Sequence, residues 1–260
     1  MEFQNLIVEK KENIAIVKLN RPPVNVLSSK VYTELFEAFS HLENDESVHG
    51  VVLTASGDKA FCAGLDVKEV EGKEINEISA FVWGVSKKTM DKISSFPRPT
   101  VCALFGLALG GGFELALVCD FRIASKDAQM GFPEINLGII PGSGGTVRLP
   151  RLIGIPKAKE ILLSGENISA DYALSLGLLN KVVERDNLLE EALILAKKLA
   201  SKPKIAYMLI KRCVDSGMEM DISSALNFEL SSFIVAYNSY DGKEGLKAFV
   251  EKRKPEFKGK

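Results

Sequence analysis

Histidine is nearly missing from this chain: His41 and His49 are the only two in 260 residues. Both fall in the polar stretch HLENDESVHG, which reads as the end of a helix and a turn. Ser–His–Asp and Cys–His catalysis and histidine-rich metal sites therefore have almost no material to work with. The four cysteines, Cys62, Cys102, Cys119 and Cys213, are widely spread and form no CxxC pair. Cys102 and Cys119 sit in apolar runs and read as core thiols of a reducing compartment. Charge of one sign is also lacking, since 33 basic residues face 34 acidic ones and leave a net charge of −1. That balance argues against a surface built for nucleic acid. No apolar run reaches the roughly 18 residues of a membrane span. The most apolar stretch, VCALFGLALGGGFELALVCD, carries Glu114 and three consecutive glycines. The N-terminus MEFQNLIVEKKEN has no basic segment leading into an apolar one, so neither a signal peptide nor a transit peptide is read there. A cytoplasmic protein without membrane contact is the expectation. Its chemistry must come from carboxylates, hydroxyls, backbone groups or a bound cofactor.

What the chain does have is apolar content of 46%, enough for a sizeable core. Leu6–Glu9 and Ile14–Leu19 read as strands around a polar turn, and Ser28 or Ser29 as the cap of a helix running to about Glu43. Gly50–Thr54, Thr100–Phe105 and Phe121–Ala124 are short apolar runs of buried strands, with another short strand at Gln129–Gly131. Glu77–Ile93 reads as one amphipathic helix. From about Gly144 nearly everything is helical, apart from a strand at Asn180–Val183. Strands alternating with helices predict a parallel or mixed sheet with an appended helical region. The division is expected at 1–195 for the core and 196–260 for the helices.

Two glycine clusters stand out. Gly106–Glu114, GLALGGGFE, follows a strand and opens a helix. Such a turn either packs strand tightly on helix or presents free N–H groups to an anion or a developing oxyanion. It is neither a P-loop nor a dinucleotide-binding turn, because no GK[ST] and no GxGxxG is present. The second cluster, Pro141–Thr146, is a weaker signal of a loop into a helix. Glu114 is either a partner of the helix dipole or a buried acid/base. Glu134, twenty residues on and just after Pro133, has the same two readings. Brought to one end of a sheet, the two carboxylates would raise one pKa and leave the other ionised.

The stretch Gly106–Leu149 resembles the central block of the crotonase (enoyl-CoA hydratase/isomerase) superfamily. Ala60–Glu69, AFCAGLDVKE, resembles its other marker turn, Arg21–Leu27 its N-terminal RP…NAL turn, and Glu244–Lys260 its C-terminal helix and tail. The resemblance implies an α/β fold: a crotonase (ClpP-like) spiral of β-β-α units followed by an all-helical C-terminal region. It implies homotrimers, or hexamers made of two trimers, acting on acyl-CoA thioesters. It calls for no metal and no cofactor, coenzyme A being part of the substrate. The resemblance implies an oxyanion hole at the amides of Ala63 and Gly111. CoA contacts are implied at Ala63, Gly64, Leu65, Asp66 and Gly111, with Phe233 and Lys252 reaching CoA from a neighbouring subunit. Asp66 is expected to orient its loop, Asp120 to be structural, and Phe81 and Trp83 either to set acyl length or to pack the core. Having both Glu114 and Glu134 favours hydration of a trans-2-enoyl-CoA. Glu114 would help deprotonate a water attacking C3, and protonated Glu134 would deliver a proton to C2 on the same face. An isomerase or a dehydratase of a functionalised acyl-CoA is the alternative, and a non-catalytic or RNA-binding relative a more distant one. Departures from the family pattern are Val26, Val147 and Phe132, the last beside the catalytic turn.

Overall fold

Apolar strand runs bounded by glycine and polar turns build two sheets, which the chain visits in alternation. The computed structural model describes residues 2–260. Strands β1 (Leu6–Lys11) and β2 (Ile14–Leu19) form an antiparallel hairpin, with Leu6 opposite Leu19. Helix α1 (Ser29–Asn44) starts at Ser28, whose hydroxyl accepts the Val31 N–H at 3.3 Å. It buries Val31, Leu35, Ala38, Phe39 and Leu42 at helical spacing. Its C-terminal carbonyls are held by the buried Arg98 guanidinium, which donates to Leu42 O at 2.6 Å and Glu43 O at 3.0 Å.

Three β-β-α units follow. Strand β3 (Gly50–Ala55) leads to β4 (Ala60–Cys62), then to helices α2 (Val67–Val70), α3 (Ile75–Phe81) and α4 (Lys87–Ser94). The second unit is β5 (Thr100–Leu104), β6 (Leu107–Leu109) and α5 (Gly111–Leu117). The third is β7 (Phe121–Ser125) and β8 (Gln129–Gly131), followed by a 3₁₀ turn at Pro133–Leu137, then α6 (Gly145–Ile153) and α7 (Ile155–Ser164). Strand β9 (Ile168–Ser169), α8 (Ala170–Ser175), β10 (Lys181–Val183) and α9 (Leu188–Ala200) complete the core. The first strand of each unit enters a six-stranded sheet ordered β1-β2-β3-β5-β7-β10, parallel from β2 onward. The second enters a four-stranded sheet ordered β4-β6-β8-β9. This alternation is the expected α/β spiral. Every residue of β3 and β5 is buried, as expected of strands covered on both faces, with α9 lying across β2, β3, β5 and β7.

Three expectations need correcting. The single helix expected over Glu77–Ile93 is broken by a π turn at Val82–Ser86, whose extra residue turns Ser86 inward. Strands β4, β6 and β9 are not among the strands expected, because two or three residues are too few to alternate. The division at 195/196 falls inside α9, one uninterrupted helix on the sheet. We therefore propose Ser201–Pro203 as the boundary between core and helical region.

The helical region is α10 (Lys204–Gly217), α11 (Ile222–Asn238) and α12 (Tyr240–Val250). Asp120, at the turn before β7, pins α10 to the core. Its carboxylate pairs with Lys211 at 2.7 Å and accepts from Tyr207 Oη at 3.1 Å and Thr100 N at 2.9 Å. Removing one partner of a pair this deeply placed leaves the other charge without compensation. Asp120→Ala is expected to destabilise the protein by about 3 kcal/mol, read as a lowered urea midpoint. An unchanged midpoint would show that α10 is held by its apolar face alone. Among the described residues no helix is long and apolar enough to cross a membrane.

Candidate active site

The site begins where two glycine turns touch. Gly110 ends β6 with φ +49 and ψ −124, a backbone that side chains disfavour. Gly112 lies so close to β4 that a Cβ there would sit 2.2 Å from Cys62 O. Across from it, Gly64 has φ +99, and a Cβ there would sit 2.9 Å from Leu109 O. The turns after β4 and β6 thus meet backbone to backbone.

This contact points two amides at one space. Leu27 N donates to Gly64 O at 2.7 Å and Asp66 N to Leu27 O at 3.0 Å. Those bonds flank Leu65, so its own N–H projects to the opposite side, toward Gly111. Leu65 N lies 3.7 Å from the point a Cβ of Gly111 would occupy. Gly111 is the first residue of α5, so its N–H has no carbonyl within the helix to bond. Neither amide has a hydrogen-bond partner among the described residues. The expectation for Ala63 is corrected here: its N–H is taken by Val24 O at 2.9 Å and is not free for a ligand.

Two carboxylates face this space from α5 and the 3₁₀ turn. Glu114, on the first turn of α5, is buried. Its Oε1 accepts the N–H groups of Ser143 and Gly145, each at 2.7 Å, from the start of α6. Burial pushes the Glu114 carboxyl up, while those amides and the Arg148 guanidinium pull it back without cancelling the rise. Glu134 packs against the first turn: a Cβ on Gly110 would lie 2.5 Å from Glu134 Oε1. Its buried Oε2 has no hydrogen-bond partner among the described residues. Burial, with the Glu114 charge adding to it, pushes Glu134 up to about 7. The turn that carries it is fixed by Pro133 and by Phe132, fully buried against Phe113 at 5.1 Å between ring centroids. Phe132 is therefore core beneath the site.

The whole chain can now be set beside known proteins. It matches the Enoyl-CoA hydratase/isomerase family over residues 9–260. The chain belongs to that family. It is 42% identical to a short-chain-enoyl-CoA hydratase of Clostridium acetobutylicum over 258 residues, 98% of each chain. It is 40% identical to a crotonyl-CoA hydratase of Syntrophomonas wolfei, over 99% of each. Among solved structures, an enoyl-CoA hydratase from Bacillus anthracis superposes with a TM-score of 0.93 at 40% identity, covering 99% of this chain and 100% of that one.

Within this hydratase/isomerase fold the structure brings together residues 63–66, 110–114, 134 and 143–145. Asp66, at the start of α2, pairs with Arg21 at 2.6 Å and so ties its loop to the N-terminal turn. Phe81 is buried edge-on against Tyr32, whereas Trp83 is two-thirds exposed. Phe233, on α11, and Lys252, just after α12, are exposed and not part of the cluster. Helix α11 packs on α10 and α12. On the far side of Gly142–Gly144 lies a cavity of about 940 Å³ between α4, α6 and α10; neither glutamate lines it. Sequence reasoning missed the hydroxyls of Tyr32 and Ser86, which stand behind Glu114. Residues read as an ordinary helix face carry no signal of such a contact, because only the fold brings Ser86 to Ser143.

Proposed function

We propose that this protein is an enoyl-CoA hydratase that adds water to a short trans-2-enoyl-CoA to give the 3-hydroxyacyl-CoA. The observation that carries the reading is the joint placement of two unpaired amides, the buried Glu114 carboxylate and the half-buried Glu134 carboxylate around one space. A thioester carbonyl seated on the N–H groups of Leu65 and Gly111 would have its oxygen stabilised as the enolate forms. One such donor is worth about 3–4 kcal/mol in a transition state. Leu65 takes the role expected of Ala63, because the Ala63 amide is already bonded. Ala63, Gly64 and Asp66 then shape the loop that follows the CoA moiety.

Glu114 and Glu134 hold the attacking water between them. Glu114, its Oε1 held by two N–H donors that favour the charged form, draws a proton from the water as its oxygen bonds to C3. Glu134, raised by burial, is the acid that protonates C2. The water's oxygen ends on C3 and its released proton on Glu114, while the proton at C2 comes from Glu134. The product carries one water more than the substrate, and passage of a proton from Glu114 to Glu134 restores the pair for the next turnover. No metal or cofactor enters this scheme, and the names of the relatives support the CoA thioester as substrate. The apolar face of α11, with exposed Leu226, Leu230, Phe233 and Ile234, supports assembly into a homotrimer or a hexamer. In such an assembly Phe233 and Lys252 would approach CoA on a neighbour. A cytoplasmic location is consistent with the buried free thiols Cys62, Cys102 and Cys119.

Mass analysis after incubation with crotonyl-CoA tests the reaction. Gain of one water supports hydration; an unchanged mass with a moved double bond would make the protein an isomerase. A pH profile tests the acid. The carboxyl pair titrates jointly, and the proton needed at C2 is lost as pH rises past about 7, the value to which Glu134 is pushed. Hydration is therefore expected to fall on the alkaline side of neutrality. A rate that stays flat from about pH 6 to 9 would remove Glu134 from that role.

A further inference from the structure

Two buried hydroxyls and a half-buried one, from three separate segments, converge behind Glu114. Ser143 supplies one of the N–H groups that grip Glu114 Oε1, and its hydroxyl also stabilises the charged carboxylate. Ser143 Oγ lies 2.6 Å from Ser86 Oγ, which the π turn directs inward. Burial pushes the Tyr32 phenol, on α1, upward, and the Ser86 and Ser143 hydroxyls pull it back. The Tyr32 hydroxyl also lies 3.3 Å from the point a Cβ of Gly111 would occupy, so the cluster borders the free amides as well. Tyr32 and Ser86 are both 1% exposed. Thr89 Oγ1 donates to Tyr32 O at 2.9 Å and locks α1 to α4 at this point.

We propose that Tyr32 and Ser86 are positioning residues, acting through Ser143 to aim the Glu114 carboxylate and hold it ionised for proton abstraction. The argument is one of hydrogen-bond direction. An ionised carboxylate only accepts, so the Ser143 hydroxyl, which helps hold the Glu114 carboxyl down, acts on it as a donor beside the Ser143 N–H at 2.7 Å. Ser143 Oγ is then free to accept from Ser86 or Tyr32, and burial keeps the Tyr32 phenol protonated as a donor. Every hydroxyl in the chain points its proton toward Glu114, and each donation strengthens the next. Protonating Glu114 would remove the acceptor on which that order depends. The other charged or titratable groups facing Glu114 and this cluster are Glu134 from the 3₁₀ turn, Arg148 from α6 and the Cys62 thiol from β4. Arg148 in turn faces Asp91 and Asp215. None of these is altered by removing a Tyr32 or Ser86 hydroxyl.

The proposal rests on the hydratase reading for its kinetics but not for its physics, so two readouts are needed. Tyr32→Phe and Ser86→Ala each delete one oxygen. With crotonyl-CoA, the acidic limb of kcat/KM is expected to move upward by about one pH unit in either variant. The KM and melting temperature should stay near wild type. In parallel, the infrared carboxylate band assigned by difference from Glu114→Gln is titrated in the absence of substrate, and its midpoint is expected to rise in step. Midpoints equal to wild type in both variants, or a rate loss uniform at every pH, would overturn the proposal. If wild-type protein hydrates no enoyl-CoA, the hydratase reading falls by itself, and the infrared midpoints still decide whether these hydroxyls govern Glu114.

Discussion

Glu134→Gln is expected to lower the hydration kcat by about 10²–10⁴-fold, the usual contribution of a positioned acid, while CoA-ester binding stays within a few-fold. The substitution is nearly isosteric, and the amide is neutral like the protonated acid it replaces, but it has no proton to give to C2. The stability of the same variant separates lost chemistry from lost folding. Burial pushes the Glu134 carboxyl up to about 7 in the folded protein, against the ordinary glutamate value of 4.5. The folded state therefore binds the proton more tightly than the unfolded state, and stability is lost as pH rises from about 4.5 to about 7. Glutamine has no such penalty. Glu134→Gln should thus melt higher than wild type at pH 8 and equal to it at pH 4. Full turnover in the variant would end the acid assignment, and a lowered melting temperature at pH 8 would contradict the burial that underlies it.

Glu114→Gln gives the complementary result. The glutamine oxygen can still accept the Ser143 and Gly145 N–H groups that now hold Oε1 at 2.7 Å. The loop before α6 keeps its anchor, yet no base remains for the water. A loss of about 10²–10⁴-fold is expected here too. Because the residues act as a unit on one water, the double variant should be scarcely slower than either single one.

The large elements were legible because their apolar periodicities are long. The buried β-branched and aliphatic run Val51–Thr54 marks β3, and the 3–4 spacing of Val31, Leu35, Phe39 and Leu42 marks α1. The glutamates and glycines of the site could be named from motif likeness. Which main-chain amides are free could not. That depends on a parallel bridge between Leu27 and Leu65, two residues 38 positions apart that join through hydrogen bonds the sequence does not encode locally. The bridge uses Gly64 O and Asp66 N, a separate bond to Val24 O takes the Ala63 N–H, and the Leu65 N–H is left free. The π turn was hidden for a related reason. One inserted residue shifts the helical face by a fraction of a turn, too little to break the periodicity of Glu77–Ile93, yet enough to send Ser86 toward Ser143.

Gly112→Ala is expected to damage stability and catalysis together, since one backbone contact serves both. The added Cβ would meet Cys62 O at 2.2 Å, Cys62 Cβ at 2.7 Å and Cys62 Sγ at 2.8 Å. The first of these is a strand carbonyl, which cannot swing aside as a side chain can. Either α5 or β4 must retreat, and overpacking of this kind costs about 1–3 kcal/mol. That corresponds to a fall of several degrees in melting temperature for a chain of this size. The retreat also separates Gly111, on α5, from Leu65, beyond β4. Hydrogen-bond donation to a developing oxyanion needs contacts of about 2.7–3.1 Å, and loss of one donor costs about 10²–10³-fold in kcat. Gly217→Ala on α10 is the control, because its Cβ would make only an ordinary 3.8 Å contact with Ala225; it should leave both properties unchanged. Wild-type turnover in Gly112→Ala would show that the two turns need not touch for the site to work, and with that the pairing of the Leu65 and Gly111 amides on one oxygen would lose its basis.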